Sequence, residues 1–138
     1  MMNWIFPFQN QNHIFFVLHI ISVLSNESLA DIKKQNNIIL KVTEQLEKYL
    51  DIKIDKNSLN YARLCTHLRF MIERTVKDEK LVFPEGVIKI VYDNYPQSYS
   101  LAWKLVRVVQ NSLNKKISND EVVCLAMHLI RFESNIKL

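Results

Sequence analysis

The stretch YARLCTHLRFMIER, at residues 61–74, decides the fold because its apolar side chains recur every three or four residues. An α-helix turns about 100° per residue, so this spacing places the apolar side chains on one face of a helix. The apolar positions are Leu64, Leu68, Met71 and Ile72. The pattern predicts an amphipathic helix that ends near residue 76.

The same helical period continues on both sides of this stretch. The predicted helices cover about residues 29–50, 59–76, 87–95, 97–113 and 118–132. Ser118 and Glu121 have the spacing of a capping box, which predicts the start of the last helix. Since no glycine-rich linker divides them, we expect one compact, all-α five-helix bundle over residues 31–138, preceded by an extra apolar helix.

The composition narrows the possible functions. Gly86 is the single glycine, and there are three prolines. Sheet folds need many tight turns, and nucleotide-binding loops need several glycines, so neither is expected here. The net charge is +4, with basic and acidic residues interleaved, which favours a solvated mixed surface over a nucleic-acid-binding face. We therefore expect no direct binding of nucleic acid.

Residues 14–24, IFFVLHIISVL, form an apolar run near the N-terminus. A membrane-spanning helix needs about 20 apolar residues, whereas this run is shorter and contains His19. A secretory signal carries positive charge before its apolar segment, but the first Lys or Arg is Lys33. The run fits a helix that needs a partner surface better than either alternative, so no membrane association is expected.

Two histidines lie in the middle of predicted helices, each with arginine on its own face. Arg63 lies four residues before His67 and Arg74 seven after it, so these three share one side of their helix. Arg131 lies three residues after His128, within about 60° of it. Guanidinium groups in these positions are suited to hold a phosphate beside an imidazole. A core histidine bonded to the backbone is the alternative for each, and the spacing alone does not decide between them.

The two cysteines raise the alternatives of a metal site or a nucleophile. Cys124 and His128 are four residues apart and can share a ligand face, but Cys65 lies about 200° from His67 and cannot face the same ion. Cys124 beside His128 fits a nucleophile and its base loosely, without a recognisable oxyanion loop. We expect two buried free thiols in a reducing cytoplasm, no metal, no cofactor and no catalytic residue.

Both histidine segments resemble the signatures of a known family, the phosphotransferase system regulation domain (PRD) of BglG/LicT-type transcriptional antiterminators. The first signature reads here as Tyr61, Arg63, Thr66, His67, Leu68 and Arg74. The second reads as Asp120, Glu121, Met127, His128, Leu129 and Arg131. The resemblance covers about residues 31–134, and the HLRF and LIR details are closer to the second of the family's two tandem copies. Cys124 departs from the pattern, since relatives often carry an aromatic residue there.

The resemblance implies a regulatory function rather than catalysis. In the family, the phosphocarrier protein and a sugar-specific enzyme II of the phosphotransferase system govern phosphorylation of such histidines, which controls dimerisation. The expected acceptors are His67 and His128. Arg63, Arg74 and Arg131 are expected to support or sense the phosphate. The chain is thus expected to be a cytoplasmic homodimer and not an enzyme.

Residues 1–30 are similar to the end of the first tandem copy followed by a linker, with His19 as a possible remnant site. The expected organisation is this remnant followed by the helical domain at residues 31–138, without the family's RNA-binding domain. Two other interpretations stay open. One is a truncated interaction module that accepts no phosphate, and the other is a fragment of a PRD-containing DNA-binding activator.

Overall fold

The computed structural model describes residues 14, 16, 17, 20 and 29–136, with side chains up to residue 133. The helices that it describes in full are α1 (Leu29–Leu50), α2 (Leu59–Val76), α3 (Glu85–Asn94), α4 (Pro96–Leu113) and α5 (Asn119–Ile136). The part between residues 29 and 136 contains no strand, and the predicted all-α class is confirmed. None of these helices is long and apolar enough to cross a membrane.

The chain divides into two compact units, Met1–Asn37 and Ile38–Leu138, and the division falls within α1. In the first unit, residues 14, 16, 17 and 20 have helical backbone geometry. His19 lies outside the described residues, so its interpretation as a remnant site stays a prediction, as does the boundary at residue 30. The site described below belongs to the second unit.

Local signals in the sequence explain where several helices begin and end. Ser58 caps α2, because its side-chain oxygen accepts a hydrogen bond from the backbone N–H of Tyr61. Pro96 does not interrupt a helix but begins α4, where its missing N–H costs no hydrogen bond. Asn114 ends α4 in the left-handed conformation (φ 53°) that asparagine tolerates.

The start of α5 differs from the predicted capping box in one respect. Ser118 Oγ accepts a hydrogen bond from the backbone N–H of Glu121, as predicted. The carboxylate of Glu121 does not complete the box, because both of its oxygens accept hydrogen bonds from Arg74 on α2. Asp120 also bonds outside its helix, with Oδ1 accepting from the backbone N–H of Phe83, 2.9 Å away. The two acidic residues therefore connect α5 to its neighbours.

Helix α5 is the centre of the second unit, since it packs against α2, α3 and α4. Its inner face is fully buried and comprises Val122, Val123, Leu125, Ala126 and Leu129. Helix α1 joins this core through Ile38, Ile39, Val42 and Leu46. Thr43 Oγ1 donates to the Ile39 carbonyl, so the Tyr61 hydroxyl donates to Thr43 Oγ1 and links α2 to α1.

Candidate functional site

The two histidines predicted to carry the function are in contact with each other. His67 on α2 and His128 on α5 form the histidine pair, with ring centroids 3.3 Å apart and ring planes inclined by 23°. The sequence placed each histidine beside arginines of its own helix. It did not show that the rings stack, because that contact depends on how α2 and α5 pack.

The histidine pair lies on the wall of an open cleft of about 510 Å³, here called the histidine cleft. Arg63 from α2 and Arg131 from α5 line the same cleft. Both imidazoles are half-buried, whereas both arginines are exposed. The structure thus gathers four of the predicted site residues, two imidazoles and two guanidinium groups, around one solvent-accessible space.

The third predicted arginine, Arg74, has a different partner. Its Nε and Nη2 atoms donate to the two carboxylate oxygens of Glu121, and each donor–acceptor distance is 2.8 Å. Glu121 is only 4% exposed, and this bidentate pair compensates the negative charge that its burial takes out of water. The hydrogen bond to Glu121 raises the pKa of Arg74 above its ordinary value. Arg74 does not line the histidine cleft, and its phosphate-sensing role stays a prediction.

These contacts show that α2 and α5 run antiparallel along their line of contact, the α2–α5 seam. Arg74 near the end of α2 meets Glu121 near the start of α5, and the histidine pair meets at the middle. On α5, the polar positions follow a spacing of three and four residues, which forms one stripe along the helix. That stripe comprises Glu121, Cys124, His128 and Arg131.

The seam keeps both imidazoles neutral. Burial, the neighbouring His67 and the positive charge of Arg131 together lower the pKa of His128 to about 4, with burial as the largest cause. Burial also lowers the pKa of His67 below its usual range, and the nearby charge of Arg74 adds to the effect. At pH 7 each ring therefore carries one nitrogen lone pair that can act as a nucleophile or a ligand.

Cys124 joins the histidine pair as a third potential donor. The ligand atoms of His67, Cys124 and His128 all lie within 4.8 Å of one another. Burial, followed by the charge of Glu121, raises the pKa of the Cys124 thiol, which is therefore protonated at pH 7. The spacing of four residues between Cys124 and His128 was the only signal of this cluster in the sequence. Cys65 lies elsewhere, beside the Tyr61 hydroxyl.

The fold and the site together define a small all-α domain built around a histidine pair. The family model described as PRD domain matches residues 40–132, which include both histidines, and the chain belongs to this family. The predicted PRD of transcriptional antiterminators is thereby confirmed, while its assignment as a second copy stays a prediction.

Curated relatives agree with this membership. The chain is 36% identical over 122 residues to the PtsGHI operon antiterminator of Bacillus subtilis (strain 168) and 32% identical over 122 residues to Protein GlcT of Staphylococcus haemolyticus (strain JCSC1435). Protein GlcT of Staphylococcus aureus (strain Newman) is 30% identical over the same length. Each alignment covers 88% of this chain but 43% of the relative, so the chain spans about two fifths of the length of these proteins.

Proposed function

We propose that this chain is a regulatory module of a sugar-operon antiterminator, phosphorylated on His67 and His128 by the phosphotransferase system to control dimerisation. The observation that carries the proposal is the placement of two neutral, half-buried imidazoles on the wall of an open cleft beside Arg63 and Arg131. A core histidine would be packed on all sides. The open wall favours an accessible acceptor over an inert interaction module.

In the proposed phosphoryl transfer the chain supplies only the nucleophile. The lone pair of an imidazole nitrogen on His67 or His128 attacks the phosphorus of a phosphohistidine on the phosphocarrier protein. A new N–P bond forms, the donor's N–P bond breaks, and its electron pair stays on the donor imidazole. The donor supplies the activated group, so the module is a substrate of the transfer and not an enzyme.

The added charge supplies the regulatory signal. A phosphoryl group adds about −1.5 to −2 charges by analogy with other phosphorylated side chains. Arg63 and Arg131 are placed to pair with it, because they line the same cleft. Since the two rings are stacked at 3.3 Å, phosphoryl groups on both would repel strongly and force the rings apart. We propose that this opening of the α2–α5 seam alters the surface through which the chain dimerises.

The proposal is tested by incubating the full chain with phosphoenolpyruvate and the general proteins of the phosphotransferase system, and by measuring acid-labile label. We expect the wild type to be labelled and the His67→Ala/His128→Ala variant to lose the label. The His13→Ala variant is the matched control and should label like the wild type. Equal labelling of the wild type and the double variant, or no labelling of either, would refute the proposal.

Dimerisation is measured on the same samples by analytical ultracentrifugation. We expect phosphorylation to change the monomer–dimer distribution of the wild type and to leave that of the double variant unchanged. A labelled wild type with an unchanged distribution would support the acceptor role and contradict the dimer switch.

A further inference from the structure

We infer that His67, Cys124 and His128 form a binding site for a zinc-type divalent metal ion, with its fourth coordination position open to the histidine cleft. This site does not depend on the proposed phosphorylation. It requires only the three side chains, which come from two helices whose packing already brings them together.

The distances suit a metal after a small adjustment. Zinc binds histidine nitrogen at about 2.0–2.1 Å and cysteine sulfur at about 2.3 Å, so donor atoms around a tetrahedral ion lie about 3.5 Å apart. The three donor atoms here lie within 4.8 Å of one another, which leaves a closure of about 1 Å to be made by side-chain rotation. Cys124 and His128 are one helical turn apart on one face, a spacing that binds zinc well.

The stacked arrangement must open when the ion binds. The lone pairs of two stacked rings inclined by only 23° lie in separate, nearly parallel planes, so they cannot both aim at one ion. At least one ring therefore turns as the ion enters. The histidine cleft, which both rings line, provides the space for that rotation.

The donor set determines which metal fits. Two imidazoles and one thiolate are borderline-to-soft ligands, which suit zinc or cobalt and not calcium or magnesium. The Cys124 thiol loses its proton to solvent as the S–metal bond forms. Burial and the charge of Glu121 disfavour a free thiolate, and Arg74 offsets only part of this, so the thiolate is stabilised by the metal itself. Glu121 is engaged by Arg74, so the seam supplies three protein ligands and leaves the fourth position to water.

Binding is tested by titrating cobalt chloride and then zinc chloride into the chelator-treated full chain. We expect one equivalent of cobalt per chain and a thiolate-to-cobalt charge-transfer band that zinc displaces. Cys124→Ser should abolish the band and weaken zinc binding by more than the roughly 10- to 100-fold loss that follows mutation of outer-shell partners. Cys65→Ser, the matched control, should retain both the band and the affinity.

An independent readout uses the unmutated chain, in case Cys124→Ser fails to fold. Zinc should protect Cys124, but not Cys65, from alkylation, as mapped by mass spectrometry. A wild type that shows no charge-transfer band in excess cobalt, or that loses no reactivity at Cys124 on addition of zinc, overturns the inference. A band that persists in Cys124→Ser, or that disappears in Cys65→Ser, overturns it as well.

One consequence rests on the proposed function. A ring nitrogen that coordinates a metal has no lone pair to attack phosphorus, so zinc should inhibit phosphoryl labelling of the wild type and chelation should restore it. If the chain binds zinc but its phosphoryl labelling does not change when zinc is added, the metal site is structural and does not block phosphorylation. A chain that binds zinc but is never labelled would refute the proposed function and leave the metal site intact.

Discussion

Helix α5 presents two contrasting faces to the rest of the domain. Its inner face carries Val122, Leu125 and Leu129, which are fully buried among apolar side chains of the core. Its other stripe faces the α2–α5 seam with Glu121, Cys124 and His128. Of these three, the carboxylate is buried and paired, while the thiol and the imidazole remain half-buried.

The contrast shows how one helix serves both fold and site. The inner face needs only hydrophobic side chains of suitable volume, so its contribution to stability is non-directional. The seam needs specific partners at specific distances, because an unpaired buried charge is costly. A substitution on the inner face should therefore destabilise the domain most, whereas one on the seam should alter chemistry with a smaller loss of stability.

The largest expected effect comes from the inner face. Leu129→Ala removes a fully buried side chain and leaves a cavity, so we expect the free energy of unfolding to fall by about 2–5 kcal/mol. Urea unfolding followed by circular dichroism measures the change. The exposed residue Val76 gives the control, since Val76→Ala should change stability by less than about 0.5 kcal/mol. A Leu129→Ala loss below about 1 kcal/mol would mean that this face is loosely packed.

Breaking the ion pair of the seam should have the next largest effect. Arg74→Met leaves the buried Glu121 carboxylate without its partner, and we expect a loss of about 2–3 kcal/mol after allowance for the partial exposure of Arg74. Adding Glu121→Gln to Arg74→Met should recover part of that loss, because no charge is then left buried. Arg69→Met, at an exposed position of α2, is the control. Equal losses in the single and double variants would contradict the pairing.

The third expected effect depends on pH. His128 has a pKa of about 4 in the folded chain and 6.5 as its ordinary value, so below pH 6.5 the unfolded chain binds a proton that the folded chain excludes. Stability from this group is complete above pH 6.5 and is lost as pH falls from 6.5 to 4. The full shift corresponds to about 3 kcal/mol, which solvent screening reduces to about 1–2 kcal/mol.

Urea unfolding at several pH values measures this dependence. His128→Gln should flatten the stability curve between pH 6.5 and 4, because glutamine does not titrate there. A curve that keeps its slope in the variant would assign the effect to other groups.

The two faces also differ in how far the sequence predicts them. The helical period located all five helices, since burial on one face imposes a spacing of three to four residues. The first and last residues of the helices were harder to predict. The sequence predicted one helix ending near residue 95 and the next beginning near residue 97, whereas the structure has Pro96 as the first residue of α4. The predicted end of the last helix near residue 132 was four residues short of Ile136.

The seam was only partly predictable, because its contacts join helices distant in sequence. Spacing placed Arg63 beside His67 and Arg131 beside His128, and all four line one cleft. The same spacing placed Arg74 on the face of His67, but its preference for Glu121 required knowledge of the opposite helix. The spacing of four residues relates Cys124 to His128 alone, since nothing in it shows that His67 approaches both.

The smallest expected effect on stability belongs to the arginines of the histidine cleft. Arg63 and Arg131 are exposed, so Arg63→Ala and Arg131→Ala should each change the free energy of unfolding by less than about 0.5 kcal/mol. Their effect should appear in the chemistry, because a lost charge-assisted hydrogen bond to phosphate corresponds to about a tenfold slower labelling of the histidine pair. Arg107→Ala, at an exposed position of α4 that does not line the cleft, controls for net charge. If all three variants label at the wild-type rate, Arg63 and Arg131 do not assist the transfer. The two imidazoles are then the only residues of the predicted cleft site that take part in it.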